Sequence, residues 1–208
     1  GISDLEWQLR DWYGQLWLSG DVTILLSGGH SVDKMSWWLG DEMPVKAVAT
    51  GSQIFPTGGS TFDNCFVAYE YANGIYGFLG CRSQAGCYTE NADHIVGTKG
   101  ICTIGRARTP VIEGEDSWRY EGPADNMYQT EHDELFASIR SGKPINDGAR
   151  MAKTTLMALM GRMAAYTGQE IRWDQAMNSQ ERLGPECVDW NTKVEPRPPA
   201  VPGMTKFL

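Results

Sequence analysis

The pair Asn73-Gly74, set between two apolar-polar alternating runs, constrains this chain more than any other stretch. Asn-Gly is the strongest short-range turn signal in the chain, so Phe62 to Tyr71 and Ile75 to Arg82 are expected to be antiparallel neighbours. A second hairpin follows: His94 to Thr98, the turn Lys99-Gly100, then Ile101 to Ile104. Val45 to Gln53 reads as extended before these, and Thr109 to Ile112 and Trp118 to Glu121 as shorter strands after them. Neighbouring strands joined by short turns make an antiparallel sheet.

Helical periods flank the strands. Leu5, Leu9, Trp12 and Leu16 recur at helical spacing over residues 4–17, behind a Ser3/Glu6 capping box. A helix with apolar face Leu135, Phe136 and Ile139 is expected after Met127, and a longer one over Ala149 to Thr167. Gly161 lies inside that longer helix at a cost of up to ~1 kcal/mol against alanine, which implies a close helix-to-sheet approach. The expected class is therefore α+β: an open, predominantly antiparallel sheet with helices covering one face. Apolar residues occur on both faces of Phe62 to Leu79, so the other face is expected to be an oligomer interface. Residues 1–184 read as one domain. Residues 185–208, with Pro196, Pro198, Pro199 and Pro202, read as an arm lying on the surface.

Charge and cysteine content narrow the function classes. Eighteen basic against 26 acidic residues give a net charge of −8, which disfavours nucleic acid and anionic membranes as partners. No apolar run approaches the ~20 residues of a membrane-spanning helix. The five cysteines form no C-x-x-C pair and the three histidines are far apart, so no metal site is expected. Neither a G-x-G-x-x-G turn nor a G-x-S-x-G elbow is present.

The candidate working end is Gly20 to Trp38, read as a short apolar strand, a Gly28-Gly29 break and a helical turn carrying His30, Asp33 and Trp37. Spacings of three and seven place those three side chains on one helical face. An imidazole, a carboxylate and an aromatic plate suit proton transfer beside a ring-shaped substrate, while the alternative is a helix cap and a core tryptophan. Trp7, Trp12, Tyr13 and Trp17 make the first segment unusually aromatic, with two of the four expected in the core and the others facing a cleft.

From residue 20 onward the chain resembles the C-terminal domain of the Gfo/Idh/MocA family of NAD(P)-dependent oxidoreductases. The resemblance rests on Gly20-Asp21, on His30-Ser-Val-Asp33 with Trp37, and on DNCFVAYEYANG from Asp63 to Gly74. VGTKG from Val96, NMYQTEHDELFASIRSGKPINDG from Asn126 and MGRMAAYTGQEIRWDQAMNS from Met160 extend it in the same order. It implies a parent with an N-terminal Rossmann domain that binds NAD or NADP, followed by this substrate-contacting and oligomerising domain. The chain is expected to start after that Rossmann half, and so to lack the family's catalytic lysine and to bind no cofactor alone. By the same resemblance His30 is the proton-transfer residue and Asp33 the later acid, and the substrate is a sugar-like carbinol. Arg10, Trp12, Tyr13 and Trp37 are the candidate substrate contacts. Leu26 stands four positions before His30, where many relatives carry an acid that would orient the imidazole. The alternatives are an NAD-dependent glycosidase or lyase of the same family, and a non-catalytic carbohydrate-binding or scaffold module. Any targeting segment would lie upstream, which leaves cytoplasmic and exported locations both open.

Overall fold

The structure is a computed structural model that describes every residue except Thr57, Arg106, Ala107 and Pro196, together with the side chain of Arg108. It is α+β, and the strands divide between two compact units: residues 1–85 with 148–208, and residues 86–147. The single run of strands expected from the turns is thus two separate four-stranded sheets, each antiparallel throughout. Nine residues lie between Arg82 and Ala92, where the first sheet gives way to the second.

The larger unit begins with α1 (Asp4–Arg10), α2 (Leu16–Ser19), a π-helical turn (Val22–Ser27) and α3 (Gly29–Trp38). Strands β1 (Lys46–Ser52), β2 (Asn64–Glu70) and β3 (Tyr76–Arg82) follow. In the smaller unit β4 (Ala92–Val96), β5 (Gly100–Gly105), β6 (Arg108–Gly114) and β7 (Trp118–Arg119) form a meander before α4 (Met127–Arg140). The chain then returns to the larger unit with α5 (Gly148–Thr167), β8 (Ile171–Arg172) and α6 (Trp173–Met177). The first sheet runs β3-β2-β1-β8, so the two residues of β8 close the edge beside β1.

Two local expectations are corrected. The helix expected over residues 4–17 breaks at Asp11, because the loop before β2 folds onto Gly14, whose carbonyl accepts from Ser60 N (2.8 Å) and Thr61 N (3.3 Å). The apolar run Val22 to Leu26 is π-helical rather than extended. A run this short carries no period that separates strand from helix, and the Asp21 carboxylate decides the matter by accepting from Thr23 N (2.8 Å) and Ile24 N (3.1 Å).

The core of the larger unit lies between α5 and the inner face of the first sheet. Cys65, Val67 and Tyr69 of β2 and Leu79 of β3 pack with Met157, Ala158, Met160, Ala164 and Ala165 of α5. Gly161 allows the close approach that its place in the sequence implies: a Cβ there would overlap the Tyr69 hydroxyl and come within 3.2 Å of Val67 Cγ1. The C-terminal residues are held to this unit. Val194 O accepts from Gln8 Nε2 (2.6 Å), Gly203 N donates to Thr167 O (2.7 Å), and Ser179 Oγ donates to Leu208 O (2.6 Å). Ala200 and Phe207 pack on the core.

Among the described residues, burial on both faces of the first sheet is not observed. Phe66 and Phe78 are 51% and 60% exposed on its outer face, with ring centroids 5.9 Å apart. Tyr76 extends the aromatic stripe, 6.3 Å from Phe78.

Candidate functional site

The chain enters α3 through a buried polar hinge. Asp21 has a positive φ of 91° and is fully buried. Its carboxylate takes the two amides that start the π-helical turn, a further hydrogen bond from Phe62 N (3.3 Å), and one from the Tyr166 hydroxyl (2.5 Å). Burial pushes its pKa up, against the opposing pull of Tyr166 and the three amides. Burial likewise pushes the Tyr166 phenol up, helped by the neighbouring Asp21 charge. This network orients the segment that leads into α3, so Asp21 and Tyr166 act on the site through backbone placement.

Within α3, Val32 and Ser36 are buried and fix which face turns outward. His30, Asp33 and Trp37 share the outward side, as their spacing requires. His30 is exposed and has no hydrogen-bond partner among the described residues. Asp33 accepts from Arg150 Nη1 at 3.2 Å, and the same guanidinium lies 5.4 Å from the centroid of the Trp37 ring. Arg150 therefore ties the carboxylate and the aromatic plate together from the first turn of α5. The sequence offered no signal for it, because 117 positions separate the partners and no motif marks the arginine. Leu26 is 47% exposed on the π-helical turn and supplies no polar group to the imidazole.

The other three candidates lie on the first segment. Trp12 and Tyr13, partly exposed in the turn after α1, pack ring against ring with centroids 3.9 Å apart. Arg10 is exposed and paired with Glu6 at 2.7 Å. Among the described residues, no hydrogen bond, ion pair or ring contact joins Arg10, Trp12 or Tyr13 to His30, Asp33 or Trp37. A cavity of about 270 Å³ lies beneath the C-terminal arm, walled by Met163, Tyr166, Leu183, Ala200 and Phe207, and takes in none of the six candidates. No group of three or more His, Cys, Asp or Glu among the described residues is placed to hold a metal ion. None of the described helices is long and apolar enough to cross a membrane.

Comparison with known proteins places this chain in a family. Similar solved structures include an oxidoreductase from Thermotoga maritima, with 24% identity and a TM-score of 0.63 over 78% of this chain and 50% of that one. UDP-N-acetylglucosamine 3-dehydrogenase GnnA from Acidithiobacillus ferrooxidans is similar at 16% identity and a TM-score of 0.60, over 71% of this chain and 48% of that one. The WlbA dehydrogenase from Bordetella pertussis, solved with NADH and UDP-GlcNAcA, matches at 18% identity and a TM-score of 0.55, over 72% of this chain and 44% of that one. At these identities the likeness is one of fold, and the chain spans about half the length of each. No curated protein matches. The sequence profile of the oxidoreductase family C-terminal alpha/beta domain matches residues 6–156, and the chain belongs to that family, Gfo/Idh/MocA.

Proposed function

We propose that this chain is the substrate-contacting half of an oxidoreductase that moves hydride between a carbinol carbon of a sugar or polyol and NAD(P). The observation that carries this reading is the outward face of α3, where an unpaired imidazole stands beside a carboxylate and an aromatic ring held by one arginine. Two fold neighbours support the substrate class, since one is named a UDP-N-acetylglucosamine dehydrogenase and another was solved with NADH and a UDP-sugar.

The described residues do not themselves fit a dinucleotide. Both sheets are antiparallel, so no parallel strand leads through a glycine turn into a helix N-terminus that would cradle a pyrophosphate. The cofactor belongs to a Rossmann domain outside this chain. What the present residues contribute is proton handling and placement. His30 takes the hydroxyl proton as the carbinol is oxidised. Asp33, held by Arg150, offers hydrogen-bond acceptors on the same face, and Trp37 offers a plate for the sugar ring. Arg10, Trp12 and Tyr13 would contact the substrate from the first segment.

The outer face of the first sheet, with Val48, Phe66, Tyr76 and Phe78 exposed, is read as the seat of a second copy. A contiguous aromatic patch of this kind marks an association surface. A second reading, a carbohydrate-binding module without catalysis, draws on Leu26, which leaves the imidazole without the acid expected beside it. One experiment separates the two. With the chain joined to its Rossmann half, His30→Ala should lower turnover with a UDP-sugar at least ~100-fold while leaving sugar binding nearly unchanged. Sugar binding without turnover in the unsubstituted protein would favour the module, and full turnover in the variant would remove His30 from the site.

A further inference from the structure

Two of the five cysteines face each other across the first sheet. Cys65 of β2 and Cys81 of β3 are register partners. The ladder on either side fixes which kind of pair they form: Ser83 N donates to Asp63 O (2.8 Å) and Tyr71 N to Ile75 O (3.0 Å). Odd-numbered residues of β2 therefore sit at the sites that exchange backbone hydrogen bonds, where Cα atoms stand about 5.5 Å apart. That lies inside the range of about 4.4–6.8 Å that a disulfide spans. Both side chains lie on the inner face, Cys65 within the core cluster and Cys81 packed against it. The neighbouring sulfur pulls the Cys81 thiol down, and the same neighbour together with burial pushes the Cys65 thiol up. Cys65 is buried and Cys81 is half-buried.

The sulfur of Cys81 is also a floor for the candidate site. A Cβ on Gly28 would come within 2.9 Å of Cys81 Sγ and 3.0 Å of Leu79 Cδ2, so the backbone that precedes α3 rests directly on this sulfur. Gly28 is followed at once by the helix that carries His30 and Asp33.

We propose that Cys65 and Cys81 are a modification site, a cross-strand dithiol that a hydroperoxide oxidises to a disulfide with Cys81 as the attacking thiol. Cys81, the more accessible sulfur, attacks the peroxide oxygen; the O–O bond breaks, water leaves, and a sulfenic acid remains. The Cys65 sulfur then displaces hydroxide from that sulfenic acid, the thiol proton completes a second water, and the S–S bond forms. Two thiols and one hydrogen peroxide become one disulfide and two waters. Bonding draws the two sulfurs together to about 2.05 Å. Cys81 Sγ moves away from Gly28 as this happens, and the start of α3 loses its support. The proposal holds whether or not His30 is catalytic.

The test uses the unsubstituted chain. Trypsin releases Ala47 to Arg82 as one peptide that contains both cysteines and neither Cys87, Cys102 nor Cys187. After hydrogen peroxide treatment and alkylation under denaturing conditions, this peptide should lose the mass of two hydrogens and take up no alkyl group. Reduction should restore two alkylations. Peptides in which both cysteines stay alkylatable, or in which either is joined to Cys87, Cys102 or Cys187, overturn the site. In Cys65→Ser, and in Cys65→Ala should the serine disturb folding, dimedone should trap a sulfenic acid at Cys81. An adduct at neither variant's Cys81 overturns the order of attack. Amide exchange over residues 22–38 should rise at least severalfold in the oxidised chain, and identical exchange in both states would refute the link to α3.

Discussion

The two faces of the first sheet are made from the same strands and have opposite fates. Along β2, Cys65, Val67 and Tyr69 turn inward and are buried, while Phe66 between them is half exposed. Along β3, Leu79 is buried and its neighbour Phe78 is 60% exposed. Side chains on a strand alternate, so one apolar run can serve two surfaces. Among the described residues, only the inner surface has found a partner, the small-residue side of α5. Hydrophobic alternation marks a face as suited to burial, and the presence of something to cover it is a separate matter.

The inner face should show the largest losses on substitution. Met160→Ala opens a cavity at a side chain with no exposure and should cost about 2–5 kcal/mol in chemical denaturation. A loss below ~1 kcal/mol would mean that α5 does not pack here as described. Gly161→Val should cost about 1–3 kcal/mol, because the new atoms meet Tyr69 and Val67 with no room to move.

The carboxylates at the rim of that core sharpen the contrast through pH. Burial would raise the pKa of Asp63, but hydrogen bonds from Phe55 N, Asn64, Gln84 and Ile54 N outweigh it and hold the carboxyl below its usual 3.8. A depressed folded pKa contributes stability that is present above 3.8 and is lost as pH falls through the folded value. Asp63→Asn should therefore destabilise the chain at neutral pH, by about 1–3 kcal/mol for lost hydrogen bonds to a charge, with the gap to the unsubstituted chain narrowing below pH 3.8. Asp21 has the opposite sign. Its raised folded pKa contributes stability at low pH that is lost as pH rises through the folded value. Melting curves from acid to neutral pH for Asp63→Asn and Asp21→Asn should diverge in opposite directions, and parallel curves would contradict the assignment.

The outer face should respond weakly in the isolated chain and strongly in its assembly. Phe78→Ser is expected to change chain stability by less than ~0.5 kcal/mol, while abolishing any self-association seen by sedimentation. A loss comparable to that of Met160→Ala would show that this face is covered within the chain. The smallest effect is expected at Tyr69, whose buried hydroxyl is the side-chain group without a hydrogen-bond partner among the described residues. Tyr69→Phe should be neutral or slightly stabilising by thermal melting, since the hydroxyl bears a desolvation cost that no bond offsets.

The redox pair and the candidate site differ in how far they could be foreseen. Asn73-Gly74 marks the hairpin that brings the two cysteine strands together, but the partners depend on turn length. Ala72 to Gly74 form a three-residue turn that pairs Cys65 with Cys81, where a two-residue turn would have paired it with Arg82. The pairing of Asp33 with Arg150 has no such local rule.

Local chemistry in the sequence by itself determined the hairpins, the span of α5, the close approach at Gly161 and the common face of His30, Asp33 and Trp37. Each depends on residues a few positions apart, where backbone geometry leaves few choices. Tertiary structure alone decided that Val22–Ser27 is helical, that the strands form two sheets, and that Arg150 pairs with Asp33. Those outcomes turn on contacts between distant segments: the buried Asp21 carboxylate bridging to Phe62 and Tyr166, and the return of α5 onto the first sheet after the smaller unit is complete. A periodicity carries no information about which distant group will supply a hydrogen bond or a wall, and at those positions packing overrides local preference.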